Sequence, residues 1–572
     1  MTFVYDDPAA FKDDVIRGFT AAYPRHVERV EGASGFVRAG GPLEGKVSLL
    51  VGGGSGHYPS YNGVVGRGFA DAAVLGDIFA SPSAEQVYRV GRAAHGGAGL
   101  ILGFGNYAGD RLNFGLAADR LRAEGIDTRV VYVTDDIASA SVDEQDKRRG
   151  IAGTFTVYKI AGAAAEQGAD LDEVERIMRK ANAATYSFGV AFDGCTLPGA
   201  EDPLFHVEPG QMDFGLGIHG EPGVSSAPWM PAAQLAARLV DTVLDERPEG
   251  TAKAAVLVNG LGSTKYEELF ALFGTVVDKL ESDGVELVQP EVGELVTSLD
   301  MAGCSLSVTW LDDELEALWS APADTPAFRR GTTEVSTLFT ERHEVDDDVT
   351  QAETAEASEA SIAAAAVAVR AVEALNRVVE ENKDELGRID AIAGDGDHGI
   401  GMSRGSTAAA QAARDTDGGV QTVLAAAGAA FGDKAGGTSG VLWGLLLDGV
   451  GQELGNTEEV TPSRVADAIR QSAVKLQTFS KAELGDKTML DALFPFVDTL
   501  VEEVDRGSTL AQAWQAAARV CVQAADATSS LVPKIGRARP LAERSKGTPD
   551  PGAVSMGMIV TAIGAVLGET DE

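Results

Sequence analysis

Through roughly the first 330 residues, short apolar runs alternate with longer stretches whose apolar residues recur every three or four positions. The runs KVSLLV (46–51), GLILGF (99–104), RVVYVT (129–134), AAVLVNG (254–260) and SLSVTW (305–310) read as strands. Stretches such as AAQLAARLVDTVLDE and TKYEELFALFGTVVDKLESDG read as helices between them. This alternation predicts a layered α/β domain over 1–335, with more than one subdomain. Residues 336–360 are read as a linker, because ERHEVDDDVTQAETAEASEA is acidic and has no apolar period. From 361 to 572 the texture is Ala-rich and helix-periodic, as in SIAAAAVAVRAVEALNRVVEENKDEL and GAVSMGMIVTAIGAVLG. Roughly eight helical segments and few strand-like runs predict an all-α second domain.

The 572 residues are 44% hydrophobic and 23% charged, which suits large globular cores. No apolar run is read as reaching the ~20 residues of a membrane span. The start MTFVYDDPAAFKDD has neither the basic residues nor the apolar block of a signal peptide. The three cysteines, Cys195, Cys304 and Cys521, are far apart and match no metal spacing. A reducing cytoplasm is therefore expected. The formal charge of −39 argues against nucleic-acid and membrane partners, since such a surface repels phosphate.

The usual nucleotide signatures fail. Gly40, Gly45 and Lys46 have P-loop spacing, but Val47 follows and the strand comes after the loop. Gly215, Gly217 and Gly220 have dinucleotide-loop spacing, but no strand leads in and a histidine interrupts. DGDHG opens like a calcium loop and lacks its later acidic ligands.

Three glycine-rich loops carry histidines instead: GGGSGHYP, GLGIHGEPG and GDGDHG. Glycine allows a sharp turn and close approach to a ligand, so a histidine there is poised for chemistry. In the first loop, Gly52, Gly53, Gly54, Ser55 and Gly56 offer backbone N–H groups at the end of a strand, and His57 follows as an acid or base. The strand GLILGF leads to a loop with Asn106, Tyr107 and Asp110; if the two strands are neighbours, His57 and Asp110 reach one substrate. His219, between glycines, is a nucleophile suited to a carbonyl. Asp390, Asp395 and Asp397 form a carboxylate set suited to Mg²⁺ that also binds phosphates. Thr438 and Ser439 stand at a helix start, where free N–H groups favour phosphate. GDKTMLDAL (485–493) and DPGAVSMG (550–557) are further helix entries.

Taken together and in this order, GGGSGH, GDIFASPS, NYAGDRLNFGLA, RRGIAGT, GIHGEPG, GDGDHG, GGTSG, GDKTMLDAL and DPGA resemble the dihydroxyacetone kinase family in its single-chain, ATP-dependent form. The resemblance spans nearly the whole chain. It implies a ketose-binding α/β domain of two subdomains and an eight-helix barrel holding ATP and Mg²⁺. By the same resemblance, His219 holds the ketose as a covalent hemiaminal, and His57 with Asp110 is the acid/base pair. Gly53, Gly54, Ser55, Gly56 and Gly105 join Asp110 around the substrate. The metal aspartates map onto Asp390, Asp395 and Asp397. Nucleotide contacts map onto His398, Gly399, Ile400, Gly401, Thr438, Ser439, Ser480, Met489, Asp550, Pro551 and Gly552. A homodimer is also implied.

Two departures stand near the ketose loops. Tyr58 replaces a family Glu, and Gly105 stands where a Lys is common. Both are expected to flank the pocket, removing an acid and a base and freeing volume. That points to a four-carbon ketose, D- or L-erythrulose, with dihydroxyacetone as the alternative. Ser480 stands where the family often has Gly. Other readings the family offers are a phosphoenolpyruvate-dependent relay, a lyase that cyclises flavin adenine dinucleotide, and a non-catalytic ketose-binding regulator. The fusion of both domains argues against the relay, and the presence of every acid/base and metal residue against the regulator.

Overall fold

The apolar runs of the first third pair into one sheet. In this computed structural model, which describes residues 2–221, 223–331, 356–435, 437–535 and 543–570, two units are distinguished, Met1–Thr340 and Glu341–Glu572. The first sheet contains β1 (Val27–Arg29), β2 (Gly35–Arg38), β3 (Ser48–Ser55), β4 (Ala72–Ile78), β5 (Leu100–Gly105) and β6 (Thr128–Val133), ordered β1-β2-β4-β3-β5-β6. From β4 to β6 the pairing is parallel. Helices α1 (Phe11–Ala22), α2 (Ala84–Ala94), α3 (Ala108–Ala123), α4 (Thr154–Glu166) and α5 (Leu171–Ala183) accompany it. Val87, Val90, Phe114 and Leu121 of α2 and α3 pack on Leu50, Val74 and Leu102. Phe155, Tyr158 and Met178 of α4 and α5 belong to the core of the other face, with Leu49, Val51 and Ile101. Burial on both faces explains why these strands read as continuous apolar runs.

A second, largely antiparallel sheet contains β7 (Thr185–Asp193), β8 (Gln211–Phe214), β9 (Ser225–Pro228), β10 (Lys253–Gly260), β11 (Glu286–Leu287), β12 (Glu291–Gly293) and β13 (Ala302–Leu311). Its order is β11-β10-β13-β7-β8-β9, with β12 also beside β10. Helices α6 (Ala232–Leu244) and α7 (Tyr266–Ser282) cover one face through Leu235, Leu239, Leu269 and Val276. The core that includes Leu49 and Phe155 also takes in Ala255, Leu257 and Met301 of the second sheet, and Leu315 and Trp319 of α8 (Asp313–Ser320). The two subdomains thus share one core. Lys46 is tied to Asp71 at 2.6 Å in a buried ion network with Arg38 and Glu166, a structural use that accords with its rejection as a P-loop lysine.

The second unit is helical: α9 (Glu359–Asp390), α10 (His398–Asp415), α11 (Val420–Ala435), α12 (Gly437–Leu454), α13 (Pro462–Ser480), α14 (Leu490–Asp505), α15 (Leu510–Ala527) and α16 (Pro551–Thr570). Most of the expected linker, 336–355, lies outside the described residues. Its last residues, Glu359 and Ala360, instead open α9, capped by the Ser358 side chain, which accepts from the Ser361 N–H. Each helix packs on the next, and α16 returns to α9, closing a ring. Gly428 and Gly444 let α11 and α12 approach closely, since a Cβ on Gly428 would lie 2.7 Å from the Gly444 carbonyl oxygen. The helices line a partly open apolar cavity of about 570 Å³, formed in part by Leu375, Trp443, Leu446, Phe496, Trp514 and Met556. One expectation is corrected here. Residues Pro551–Glu569 of α16 are long and apolar enough to cross a membrane. Half of this stretch is buried within the protein, and the helix packs on α9, α14 and α15, which a core helix requires.

Candidate active site

β3 runs into Gly56, whose φ of +100° turns the chain so that His57 enters the interior. The imidazole is 1% exposed, and its Nδ1 lies 2.7 Å from the Thr297 carbonyl oxygen. A carbonyl only accepts, so this contact assigns the proton to Nδ1 and leaves Nε2 as an acceptor. Among the described residues, Nε2 has no partner. Burial, reinforced by nearby His219, lowers the His57 pKa to about 3, which keeps the ring neutral.

β5 ends at Gly105, and α3 begins three residues later, placing Asp110 in its first turn. Among the described residues its buried Oδ1 has no partner, nor has Ser55 Oγ. Burial raises the Asp110 pKa to about 6. β3 and β5 are adjacent, as the shared-substrate reading required. The third side chain comes from the loop after β8. His219 sits edge-on to His57, with ring centroids 4.8 Å apart. Tyr107 and Phe79 border it at 4.5 and 5.5 Å. Three buried polar atoms that lack partners, Ser55 Oγ, His57 Nε2 and Asp110 Oδ1, thus belong to the two loops that adjoin His219.

The glycines of the first loop serve packing as well as ligand approach. A Cβ on Gly53 would lie 2.7 Å from Tyr61 Oη, and one on Gly56 2.9 Å from Phe79 Cε1. Phe79 stacks on His57 at 5.1 Å and holds a φ of +56°, a conformation costly for a bulky residue. Phe79, Thr297 and Glu221 were not identified as functional from the sequence. Phe79 and Glu221 lie within the motifs GDIFASPS and GIHGEPG, but Thr297 stands 240 residues from His57 and carries no local signal.

The expectation for Tyr58 is corrected. Its ring packs edge-on against Phe19 of α1 and is half-exposed, because Tyr58 stands in the turn that follows His57. Gly105 does border the site. A Cβ there would stand 3.1 Å from Tyr107 Cε2 and 3.1 Å from the Gly150 carbonyl oxygen, to which Tyr107 Oη donates. A side chain at 105 would compete with the ring that lies against His219.

In the helical unit, Asp390 ends α9, and Asp395 and Asp397 follow in the turn before α10. One oxygen from each lies within 4.8 Å of the others. Asp390 Oδ2 accepts from the Gly396 N–H at 2.9 Å, curling the turn over it. Three hard oxygen donors at this spacing fit Mg²⁺. The first turn of α10 holds His398, Gly399, Ile400 and Gly401. The His398 imidazole is 3.1 Å from Ser555 Oγ of α16 through Nε2 and 3.4 Å from Ser439 Oγ of α12 through Nδ1. Both ring nitrogens are therefore engaged, and His398 ties together the starts of three helices. The backbone N–H groups of those starts, with Thr438 and Ser439, suit an anion. Asp550 Oδ2 accepts from the Ala553 N–H at 2.8 Å as α16 begins at Pro551, and burial raises the Asp550 pKa to about 7. Met489 borders the same entry, 3.4 Å from where a Cβ on Gly552 would stand. Ser480 ends α13 and bonds locally to the Gln477 carbonyl and the Ala482 N–H.

Residues 17–327 match the Dak1 domain model and 392–565 the DAK2 domain model. The chain is 53% identical to a D-erythrulose kinase of Mycolicibacterium smegmatis, over 98% of each chain. It is 50% identical to an L-erythrulose kinase of Pectobacterium atrosepticum, over 99% of this chain and 97% of the relative. Its structure resembles the dihydroxyacetone kinase of C. freundii in complex with AMP-PNP and Mg²⁺, at a TM-score of 0.62, 30% identity and 99% coverage of both chains. With both domain models matched and relatives aligned along its whole length, the chain belongs to the dihydroxyacetone kinase family.

Proposed function

We propose that the protein transfers the terminal phosphoryl group of ATP to a terminal hydroxyl of a short ketose, with D- or L-erythrulose preferred to dihydroxyacetone. The observation that carries this reading is the cluster of partnerless polar atoms beside His219: a neutral acceptor at His57 Nε2, a carboxylate oxygen of Asp110 and the Ser55 hydroxyl. His219 Nε2 adds to the ketone carbonyl and selects ketoses over polyols. His57 Nε2 or Asp110 receives the proton of the hydroxyl that attacks phosphorus. Asp390, Asp395 and Asp397 hold Mg²⁺, which offsets phosphate charge. The amides of α10, α12 and α16 orient the nucleotide. The names of the relatives support a four-carbon substrate. A cytoplasmic homodimer is part of the same reading; three buried free thiols accord with a reducing compartment.

The test is ADP release from Mg·ATP with D-erythrulose, L-erythrulose, dihydroxyacetone or glycerol, with His219→Ala alongside. Erythrulose turnover should exceed that of dihydroxyacetone, glycerol should be inert, and the variant should lose roughly 10³-fold or more in ketose kcat/KM. Faster dihydroxyacetone turnover would overturn the substrate preference. No ketose turnover at all would overturn the kinase.

A further inference from the structure

We propose that Glu221 is a positioning residue for the covalent step: its carboxylate sets the tautomer of His219 and stabilises the positive charge that the imidazole acquires as Nε2 bonds to the ketone. This rests on the reading of His219 as the carbonyl nucleophile.

The geometry is specific. Glu221 Oε1 lies 3.1 Å from His219 Nδ1, while Oε2 accepts from the His219 backbone N–H at 3.0 Å. One carboxylate thus holds both the ring and the main chain of the same residue. An ionised carboxylate only accepts, so Nδ1 carries the proton and Nε2 keeps its lone pair. Burial alone would raise the Glu221 pKa, but the hydrogen bond and charge of His219 outweigh it and hold it at about 2. The carboxylate is therefore ionised throughout the neutral range.

The loop is shaped around this contact. A Cβ on Gly217 would lie 2.0 Å from Glu221 Oε2 and 2.6 Å from its Cδ, so any side chain at 217 collides with the carboxylate. Arg149 braces the same loop. Its Nε donates to buried Asp136 at 2.8 Å, another guanidinium nitrogen donates to the Gly215 carbonyl at 3.2 Å, and a third lies 4.0 Å from Glu221 Oε2. Ser298 Oγ donates to the Ile218 carbonyl at 2.6 Å and fixes the strand of chain just before His219.

The chemistry follows from that placement. The Nε2 lone pair forms the C–N bond, and the carbonyl π pair moves to oxygen. In net, one proton passes from Nδ1 to that oxygen, giving a neutral hemiaminal. Positive charge builds on the ring before Nδ1 releases its proton, and a fixed carboxylate on Nδ1 favours that state in a water-poor pocket.

The test uses the full chain with Glu221→Gln, Glu221→Asp and Gly217→Ala. Three quantities are measured: kcat/KM for erythrulose, nucleotide-free binding of erythrulose, and nucleotide-free binding of erythritol, the polyol with no carbonyl. Glutamine at 221 should lower ketose kcat/KM by roughly 10²-fold and weaken ketose binding, leaving erythritol binding unchanged. Aspartate should recover part of the loss. Alanine at 217 should reproduce the glutamine result with Glu221 intact, and so decides the matter if the 221 variants fold poorly. Equal loss of ketose and polyol binding, or an unchanged ketose-to-polyol ratio, would overturn the proposal. Ketose turnover by the unmodified protein tests the kinase separately, and the binding arms judge Glu221 whatever that turnover is.

Discussion

The two units meet the demands of phosphoryl transfer in opposite ways. In the α/β unit the proposed site is built mainly from buried side chains, delivered by loops of two sheets and held by bonds between distant residues, such as His57 to Thr297. In the helical unit the proposed site draws on helix starts, joined through His398, and on carboxylates of one local turn, of which Asp395 and Asp397 are exposed. The helical interior is apolar around a partly open cavity, and the three aspartates of the proposed metal site stand at the ends of α9 and α10, outside it. The difference is physical. A neutral imidazole and a raised carboxyl need burial to reach those states. A magnesium site draws on the ion's own charge and works in contact with water.

The largest expected effect tests the buried half. Asp110→Asn should reduce kcat/KM by roughly 10²–10⁴-fold. In the unmodified protein Asp110 titrates near 6, so acid protonates the base and the rate should fall as pH drops below that value. That limb should vanish from the residual activity of the variant; a persistent limb near pH 6 would assign it to another group. The exposed half should behave differently. Asp395→Asn should weaken apparent Mg²⁺ affinity by about 10–100-fold, with much of kcat recovered at high Mg²⁺. A loss that added Mg²⁺ leaves unchanged would remove the contrast between the halves.

The smallest effect separates burial from catalysis. Lys159 of α4 is fully buried and donates to the Leu318 carbonyl, and burial lowers its pKa from 10.5 to about 7. The unfolded chain keeps that proton up to about 10.5, whereas the folded chain releases it near 7, so raising pH between the two favours the folded state. Below pH 7 both states hold the proton, and the contribution no longer changes with pH. The slope from this group is at most ~1.4 kcal/mol per pH unit. Denaturant unfolding followed by tryptophan fluorescence should show this slope in the unmodified protein and a flatter one in Lys159→Met. Parallel curves would show that Lys159 is charged in the folded state.

Much of the fold is legible before folding. Val-, Ile- and Leu-rich runs flanked by glycine became β3, β5, β6, β10 and β13, because a sheet covered on both faces needs apolar residues at every position. The period of the last third became α9 to α16, because a ring of helices buries one stripe of each. The reading that no apolar run reaches the length of a span missed α16, because its glycines and alanines break up the run of large apolar residues.

At the candidate sites, the sequence by itself determined where the glycine-rich loops with histidine and aspartate lie, since these residues at close spacing announce a turn. Only the tertiary structure decided the state of each group. The proton on His57 Nδ1 follows from a carbonyl that enters from the other subdomain, and the tautomer of His219 from a glutamate folded over a bare glycine. Tyr58, beside His57 in the chain, faces α1 instead of the pocket. Hydrogen-bond partners, burial and facing direction depend on residues far apart in sequence. Local pattern encodes where the chain bends and which face it buries, but not which distant atom meets it there.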